Sequence, residues 1–265
     1  MPAPNQISPA QLSRLIGTPD APVIFDVRLP EDVGNDPRSL PSAVLRGHDH
    51  FDTPFAGIAR AVVVCHRGRK LSEGVAALLR IQGIVAEVLE GGHMAWAKAD
   101  LPLVSHAEHA HSALWVTRHR PKIDRIACPW LIRRFVNPSA RFLFVAPAEV
   151  ADVAARFNAT PFDIEGVRFS HEGETCSFDT MLRVFGLQTP ALLRVAEVVR
   201  AADTNRHDLS PQAAGLLAIS VGLSRQYRDD LAQLEAGMAL YDALYRWARD
   251  GFDETHDWTP AHDLS

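Results

Sequence analysis

Residues 61–70 read Ala-Val-Val-Val-Cys-His-Arg-Gly-Arg-Lys. The four apolar residues predict a buried strand, and a helical pattern begins near Leu71, so Cys65 lies at a turn between strand and helix. Backbone N–H groups at the start of a helix converge on an anion in such a turn, and the helix dipole adds partial positive charge. The turn also carries four basic side chains: His66, Arg67, Arg69 and Lys70. These features favour the thiolate and predict that Cys65 is a nucleophile; the alternative is a buried, unreactive cysteine at a strand end.

Two flanking segments extend this pattern. Residues 23–28 read Val-Ile-Phe-Asp-Val-Arg, which indicates a buried strand that ends in a charged pair. Residues 89–96 read Leu-Glu-Gly-Gly-His-Met-Ala-Trp and follow a second short apolar run. Together with the cysteine loop, these motifs occur in the order found in the rhodanese family of sulfurtransferases. Residues 7–104 therefore resemble a rhodanese domain.

This resemblance implies an activity and a set of site residues. In rhodaneses the cysteine opens a loop of six residues, accepts a sulfane sulfur as a persulfide and passes it to a thiol or to cyanide. Carried over to this sequence, Cys65 is the nucleophile, and Asp26 and Arg28 support its loop. The implied loop that binds the anion and the persulfide consists of His66, Arg67, Gly68, Arg69 and Lys70. Because Lys70 and Leu71 stand where Arg and Ser are frequent in the family, the preference for donor and acceptor stays open.

Composition indicates the class of protein and its compartment. The chain has 265 residues, of which 47% are hydrophobic and 22% charged, as in soluble proteins long enough for two domains. Its net charge of −5 argues against general nucleic-acid binding. No apolar run approaches the roughly 18 residues that cross a bilayer, and residues 1–4 lack the features of a signal peptide. With three scattered cysteines, we expect a cytoplasmic protein that contacts neither membrane nor nucleic acid.

Helix and strand patterns predict two domains. In residues 1–104, a capped helix near Ser8 and further helical patterns alternate with apolar strands, which indicates a rhodanese-like α/β domain with a parallel sheet and flanking helices. Residues 105–112 are polar and rich in small residues, so we predict a solvated linker. Residues 113–265 begin with strand-like runs and continue with apolar stripes at helical spacing. We therefore predict an α+β, mostly helical second domain that ends in a loose acidic tail.

A short segment of the second domain concentrates positive charge. Residues 118–134 contain six basic side chains and one acid, Asp124. Such a cluster in an acidic protein indicates an anion site or contact with an acidic partner, and guanidinium groups suit tetrahedral oxyanions such as sulfate, phosphate or chromate. The candidate oxyanion-binding residues are Arg118, Arg120, Lys122 and Arg125. The alternative is a solvated helix face with no specific ligand.

Residue types that bind metals occur further along the second domain. Residues 171–176 bring a histidine, a glutamate and a cysteine together in a predicted loop. A helix that continues past residue 204 would put Asp203 and His207 on one face, where both reach a single ion. If the helix ends earlier, Asp203 stands at its C-terminus, where the dipole disfavours an acid, and needs a partner such as Arg206 or a basic residue of the segment 118–134. The predicted ligands of a divalent or iron-type metal ion are His171, Glu174, Asp203 and His207.

A purely structural interpretation of the same region stays open. In that case Glu174 and Asp179 flank a helix start that Ser177 caps, and no ion is bound.

The second domain also contributes two thiols, Cys128 and Cys176, to a chain whose first domain carries the reactive cysteine. We consider these two thiols as candidates for a relay that takes sulfur from the first domain.

Four stretches of the second domain carry a second resemblance. They are residues 115–118, 121–135, 171–179 and 203–208. In these stretches, and over residues 112–250 as a whole, the chain is similar to the chromate-resistance C-terminal domain of the ChrB type. Members of that family are regarded as chromate-responsive regulators or as accessory resistance proteins. The resemblance therefore implies a link to chromate or oxyanion resistance.

Two hypotheses for the whole chain follow. In the first, the protein is a sulfurtransferase that needs no cofactor: Cys65 takes sulfane sulfur from a small donor and passes it to a thiol or to a small anion held by the second domain. In the second, the protein is a sensor: the second domain binds a metal ion or an oxyanion, and the rhodanese-like part reports the thiol state. A regulator that binds DNA directly is disfavoured, because the sequence has no helix-turn-helix pattern.

Overall fold

The computed structural model describes residues 5–110 and 113–254, with the backbone alone at residues 109 and 110. Within these ranges, no helix is both long enough and apolar enough to cross a membrane. The described residues form two sheets of parallel strands and one small antiparallel pair. Most of the predicted acidic tail, residues 255–265, lies outside the described ranges.

Strands and helices alternate in the N-terminal half. In chain order they are β1 (Gln6–Ile7), α1 (Pro9–Leu15), β2 (Val23–Asp26), α2 (Pro30–Asn35), β3 (Arg38–Ser39), β4 (Val44–Leu45), β5 (Arg60–Val64), α3 (Lys70–Ile81), β6 (Val85–Leu89), α4 (Gly92–Lys98), β7 (Val104–Ser105) and α5 (His106–Ala110). Five strands form a parallel sheet in the order β1-β6-β5-β2-β4. This sheet confirms the predicted α/β arrangement. It is buried at its centre, because all four residues 61–64 are fully excluded from solvent.

Capping residues explain where the first helix begins. The backbone N–H of Gln11 donates to the Ser8 hydroxyl at 3.2 Å, and the backbone N–H of Ser8 donates to the Gln11 side chain at 3.0 Å. Pro9 occupies the first helical position, where its missing N–H costs nothing. The apolar face that follows buries Leu12 completely. The predicted helix start at Ser8 is therefore confirmed.

Helices dominate the C-terminal half. In chain order the elements are β8 (Leu114–Arg118), α6 (Asp124–Leu131), a π-helical turn (Ile132–Val136), β9 (Arg141–Val145), a 3-10 turn (Pro147–Glu149), α7 (Val150–Phe157), β10 (Thr160–Pro161), α8 (Ser177–Phe185), α9 (Pro190–Asp203), α10 (Ala213–Gln226) and α11 (Asp230–Asp250). The three strands form a parallel sheet in the order β10-β8-β9. The predicted α+β, mostly helical class is confirmed.

One hydrophobic core connects the two halves. Leu12 and Trp96 from the N-terminal half belong to the same cluster of buried side chains as Trp130 and Phe135 from the C-terminal half. The backbone N–H of Ser42 donates to the carbonyl of Phe135 at 2.7 Å across the same boundary. The two halves therefore pack against each other directly, and the exact domain boundary stays a prediction.

The segment predicted as a solvated linker is partly built into the fold. Ser105 ends β7, which pairs in antiparallel fashion with β3. His106 begins α5 and is half-buried, because its Nε2 atom contacts the hydroxyl of Ser39 and lies 3.4 Å from the guanidinium of Arg28. The start of the predicted linker is thus anchored to the N-terminal half, and residues 111–112 lie outside the described ranges.

Candidate functional site

Cys65 lies directly after β5 and five residues before the start of α3 at Lys70, at the carboxyl edge of the parallel sheet. Two glycines allow the loop to close. Gly68 has φ +64° and Gly92 has φ +62°, and their backbones touch. A Cβ atom on Gly68 would lie 2.7 Å from the nitrogen of Gly92, and one on Gly92 would lie 2.2 Å from the carbonyl oxygen of Cys65. Only glycine fits at both positions, so the Gly91-Gly92 motif packs against the cysteine loop.

The sulfur of Cys65 receives hydrogen bonds inside this loop. The backbone N–H of Arg69 donates to Sγ at 3.3 Å, and the hydroxyl of Ser72 lies 3.1 Å away. Burial raises the pKa of the Cys65 thiol, but hydrogen bonds from the Ser72 hydroxyl and from backbone N–H groups of the loop outweigh it, so the pKa lies below its ordinary value. The loop therefore stabilises a thiolate. Ser72 was not predicted as a site residue, although its place in the first turn of α3 could have indicated it.

The basic side chains of the loop do not make these hydrogen bonds. Arg67, Arg69 and Lys70 are exposed, and His66 is half-buried with its Nδ1 atom 3.7 Å from a carboxylate oxygen of Asp32. The backbone N–H groups hold the sulfur, whereas the cationic side chains of the same loop extend into solvent. This division suits an anionic donor that approaches from solvent, because exposed charges attract it and backbone dipoles stabilise the reacting sulfur.

The predicted supporting pair, Asp26 and Arg28, is fully buried and joined at 2.7 Å. Arg28 also donates to the carbonyl oxygens of Asp36 at 3.1 Å and Arg38 at 2.7 Å. The Arg38 carbonyl in turn lies 3.0 Å from Nε2 of the buried His93, whose backbone N–H donates to the Cys65 carbonyl at 3.0 Å. The pair is thus connected to the cysteine loop through His93, for which the sequence had predicted no role.

The four predicted oxyanion-binding residues are not brought together. Arg118 and Arg125 both bind the carboxylate of Asp163, at 3.0 and 3.2 Å. Arg120 donates instead to the Ser224 carbonyl near the C-terminal end of α10, and Lys122 is exposed. The joint oxyanion site stays a prediction, and the structure weakens it, because a buried acid distant in sequence, Asp163, already neutralises two of the four cations.

Three carboxylates and one imidazole instead form a cluster on this side of the second half. The Nε2 atom of His171 lies 3.3 Å from Asp163, 3.3 Å from Asp203 and 3.6 Å from Asp124. We call these four residues the aspartate–histidine cluster. Asp124 begins α6, Asp203 ends α9, Asp163 follows β10, and His171 lies in the loop before α8. The donor atoms of Asp124, Asp163 and His171 all lie within 4.8 Å of one another.

Half of the predicted metal ligands belong to this cluster. His171 and Asp203 meet as expected, but Asp124 and Asp163 were missed. Helix α9 ends at Asp203, and the next turn has a left-handed residue at position 205, so His207 does not follow on the same helix face. Glu174 is exposed, and neither it nor His207 is in the group of donor atoms found among the described residues. Glu174 and His207 are therefore outside the aspartate–histidine cluster, and their role as ligands stays a prediction.

The electrostatics of the cluster follow from burial and crowding. Asp124 is fully buried and accepts hydrogen bonds from the backbone N–H groups of Ser177 at 2.7 Å and Phe178 at 3.1 Å. Burial, followed by the charges of the other two aspartates, raises its pKa well above the ordinary value. The hydrogen bond with Asp163 raises the pKa of His171 to about 9. Without another cation, the cluster therefore retains protons near neutral pH.

The two further cysteines have the opposite environment to Cys65. Cys128 and Cys176 are completely buried, and their sulfur atoms lie 3.7 Å from Asp124 and 3.3 Å from Asp179. Burial, with the negative charge of Asp124 next, raises the pKa of both thiols well above the ordinary value. Cys176 also occupies the cap position of α8, where Ser177 was expected. A relay through these thiols is unfavourable, because the attacking species would have to be a thiolate.

Comparisons with known proteins concern the two halves separately. Residues 115–248 match the family model described as ChrB, C-terminal domain. Protein ChrB from Cupriavidus metallidurans is 33% identical over 132 residues, which are 49% of this chain and 39% of that protein. The chain thus matches about two-fifths of the length of this curated relative.

Solved structures with similarity to the N-terminal part include a rhodanese-related protein and a thiosulfate sulfurtransferase. A rhodanese-related protein from Thermoplasma volcanium is 20% identical, with a TM-score of 0.32, over 38% of this chain and 97% of that one. A thiosulfate sulfurtransferase from Pseudomonas aeruginosa is 22% identical, with a TM-score of 0.33, over 39% of this chain and 20% of that one. The family model, by contrast, spans half of the chain. The protein therefore belongs to the family that is defined by the ChrB C-terminal domain.

Proposed function

We propose that this protein is a rhodanese-type sulfurtransferase in which Cys65 carries the sulfur as a persulfide. The observation that carries the proposal is the environment of Sγ, which accepts the Arg69 N–H at 3.3 Å and has a lowered pKa. Cys65 is 6% exposed at the end of its strand, so a small donor reaches it more easily than a protein substrate does. Three exposed cations around the entrance favour an anionic donor.

The proposed chemistry has two balanced steps. The Cys65 thiolate attacks the outer sulfur of thiosulfate, the sulfur–sulfur bond of the donor breaks, and sulfite leaves with the bonding electron pair. An acceptor thiolate or cyanide then attacks the outer sulfur of the persulfide, and the Cys65 thiolate leaves. The hydrogen bonds from Ser72 and Arg69 stabilise the negative charge on sulfur before and after each transfer. No electron is gained or lost by the protein over the cycle.

We further propose that this transfer serves chromate or oxyanion resistance. Its support is the ChrB-family domain, which shares a hydrophobic core with the half that carries Cys65. A shared core makes the two halves one folded unit, so that a change in one half affects the other. Cells that carry the Cys65→Ser protein are expected to tolerate less chromate than cells with the unaltered protein. Equal tolerance would remove the link but not the sulfurtransferase activity.

The activity itself is tested by mass spectrometry of the full chain after treatment with thiosulfate. We expect a mass gain of one sulfur atom on the peptide that contains Cys65, and thiocyanate on addition of cyanide. Cys65→Ser should abolish both, whereas Cys128→Ser should retain both, since that thiol is buried beside Asp124. If no persulfide forms on Cys65 and no thiocyanate is released, the proposal is wrong and the sensor hypothesis explains the chain better.

A further inference from the structure

The imidazole of His171 has too many carboxylate neighbours for an ordinary ion pair. Its Nε2 atom faces oxygens of Asp163 and Asp203 at 3.3 Å and of Asp124 at 3.6 Å. A charge-assisted hydrogen bond is about 2.7–2.9 Å long, and one N–H can be shared well with only one acceptor. None of the three carboxylates is within that distance. The Nε2 atom therefore faces three carboxylates at once, and the donor atoms of Asp124, Asp163 and His171 lie within 4.8 Å of one another.

These separations match those between the ligands of one metal ion. Nitrogen and oxygen ligands lie about 2.1 Å from a tetrahedral first-row ion, which places them about 3.4 Å apart. The measured distances from His171 to Asp163, Asp203 and Asp124 are 3.3, 3.3 and 3.6 Å. An ion at the centre would need only small movements of these side chains, because three of the donor atoms already lie within 4.8 Å of one another.

Neighbouring groups hold two of the carboxylates in place. Oδ2 of Asp163 binds Arg118 and Arg125, and its Oδ1 atom, which faces His171, accepts the Ser177 hydroxyl at 3.0 Å. Asp124 is oriented in the same way by two backbone N–H groups at the start of α8. Since a carboxylate oxygen can accept two bonds, each oxygen facing His171 retains capacity for a ligand. Such outer contacts orient ligands in metal sites.

Charge and access also favour a cation. Arg118 and Arg125 both bind Asp163, so an ion that displaces the proton of His171 would face the carboxylates of Asp124 and Asp203 as well. The side chain of His171 is 40% exposed and that of Asp203 is 20% exposed, whereas Asp124 is 1% exposed. An ion can therefore enter from the side of His171 and reach the buried carboxylate.

We propose that Asp124, Asp163, His171 and Asp203 bind one divalent first-row transition-metal ion. Three oxygen donors with a single imidazole suit Mn²⁺, Fe²⁺ or Zn²⁺ rather than a metal that requires thiolates. Cys128 and Cys176 are completely buried, and neither sulfur is in the group of donor atoms found among the described residues. This site is independent of the sulfur chemistry at Cys65.

The test is titration of the full chain, stripped with a chelator, with Mn²⁺ and separately with Zn²⁺. Free Mn²⁺ is read from its electron paramagnetic resonance signal, and Zn²⁺ binding is read by calorimetry. We expect one ion per chain, and at least a ~10-fold loss of affinity in His171→Ala. Glu174→Ala and His207→Ala are the matched controls, since both residues were predicted from sequence but neither belongs to the aspartate–histidine cluster; both should keep the wild-type affinity.

A second measurement keeps the test decisive if a variant folds poorly. Co²⁺ bound at a four-coordinate site gives far stronger visible absorption than Co²⁺ in water, and His171→Gln should remove it, with far-UV circular dichroism of the metal-free variant to confirm that it is folded. Three outcomes overturn the proposal: neither Mn²⁺ nor Zn²⁺ binds in a one-to-one ratio, His171→Ala binds as tightly as wild type, or a control variant loses the ion. Cys65→Ser should bind the ion normally, so failure here leaves the sulfurtransferase proposal intact.

Discussion

Replacing Gly92 by alanine tests whether backbone contact holds the cysteine loop in its reactive shape. Gly92 has φ +62° and Gly83, which serves as the control, has φ +81°. A left-handed backbone costs an L-residue about 1–2 kcal/mol, and both variants carry this cost. The new Cβ atom meets nothing within 4 Å at Gly83, but at Gly92 it would lie 2.2 Å from the Cys65 carbonyl oxygen. The difference between the two variants therefore isolates the contact.

The overlap gives the size of the expected effect. Carbon and oxygen atoms approach to about 3.3 Å in favourable contacts, so the Cys65 carbonyl or the Gly92 backbone has to move by about 1 Å. The same carbonyl accepts the N–H of His93 at 3.0 Å, so the movement disturbs the loop on both sides. A misplacement of about 1 Å at a reacting group can lower a rate by about 100-fold. We expect that loss in Gly92→Ala and an unchanged rate in Gly83→Ala.

The assay follows the rate of persulfide formation on Cys65 with thiosulfate, together with the melting temperature of each variant. Gly83→Ala should lower the free energy of unfolding by about 1–2 kcal/mol, which corresponds to a fall in Tm of about 2–8 °C for a chain of this size. Gly92→Ala should fall further, since it adds the steric overlap. If the two variants have equal rates and equal melting temperatures, the contact does not determine the shape of the loop and the reasoning is refuted.

Three further predictions concern charged groups. The rate of alkylation of Cys65 by iodoacetamide should rise with pH through a midpoint below the ordinary thiol pKa, because the thiolate is the reacting species. Ser72→Ala should move this midpoint to higher pH, because the thiolate loses one stabilising hydrogen bond. An unchanged midpoint in Ser72→Ala would contradict this prediction. In metal-free protein, NMR titration should give His171 a pKa of about 9, raised from 6.5. The protonated imidazole therefore contributes fully to the free energy of unfolding below pH 6.5, and this contribution is lost as the pH rises through 9. A titration near the unperturbed value would show that the carboxylates do not surround the ring. Arg28→Ala should lower the free energy of unfolding by about 3–5 kcal/mol in urea, because Asp26 stays buried without its cation, and adding Asp26→Asn should restore part of the loss. If the free energy of unfolding of Arg28→Ala equals that of the wild type within experimental error, the buried ion pair does not stabilise the fold as argued.

Local patterns were sufficient to predict the N-terminal half. The strand, the glycine-containing loop and the helix around Cys65 are adjacent in sequence, so residue order alone places the thiol at a helix start. The contacts of Ser72 with the sulfur and of His93 with the loop could not be read from spacing. They depend on how α3 leaves the loop and on where the chain returns after β6, which tertiary packing determines.

Long-range pairing explains the errors in the C-terminal half. The basic segment looked like an anion site because its neutralising acid, Asp163, is 45 residues from Arg118. The need of Asp203 for a partner was predicted correctly from its place at a helix end. Its partner is His171, not Arg206, which pairs with Asp208 at 3.1 Å. Sequence indicated that a charge had to be compensated, but only the fold identifies the group that compensates it.

The surroundings of Cys65 and of His171 differ in electrostatics, and this difference bears on where an anion and a cation would bind. Around Cys65, N–H donors and exposed cations lower the pKa of the thiol and favour anions. Around His171, three carboxylates face one imidazole, and Arg118 and Arg125 both bind one of them, Asp163. Under the two proposals above, an anionic donor reacts at the cysteine loop and a cation binds at the aspartate–histidine cluster. An effect of the ChrB-family half on oxyanion resistance would then be exerted through the shared core or through the bound metal ion.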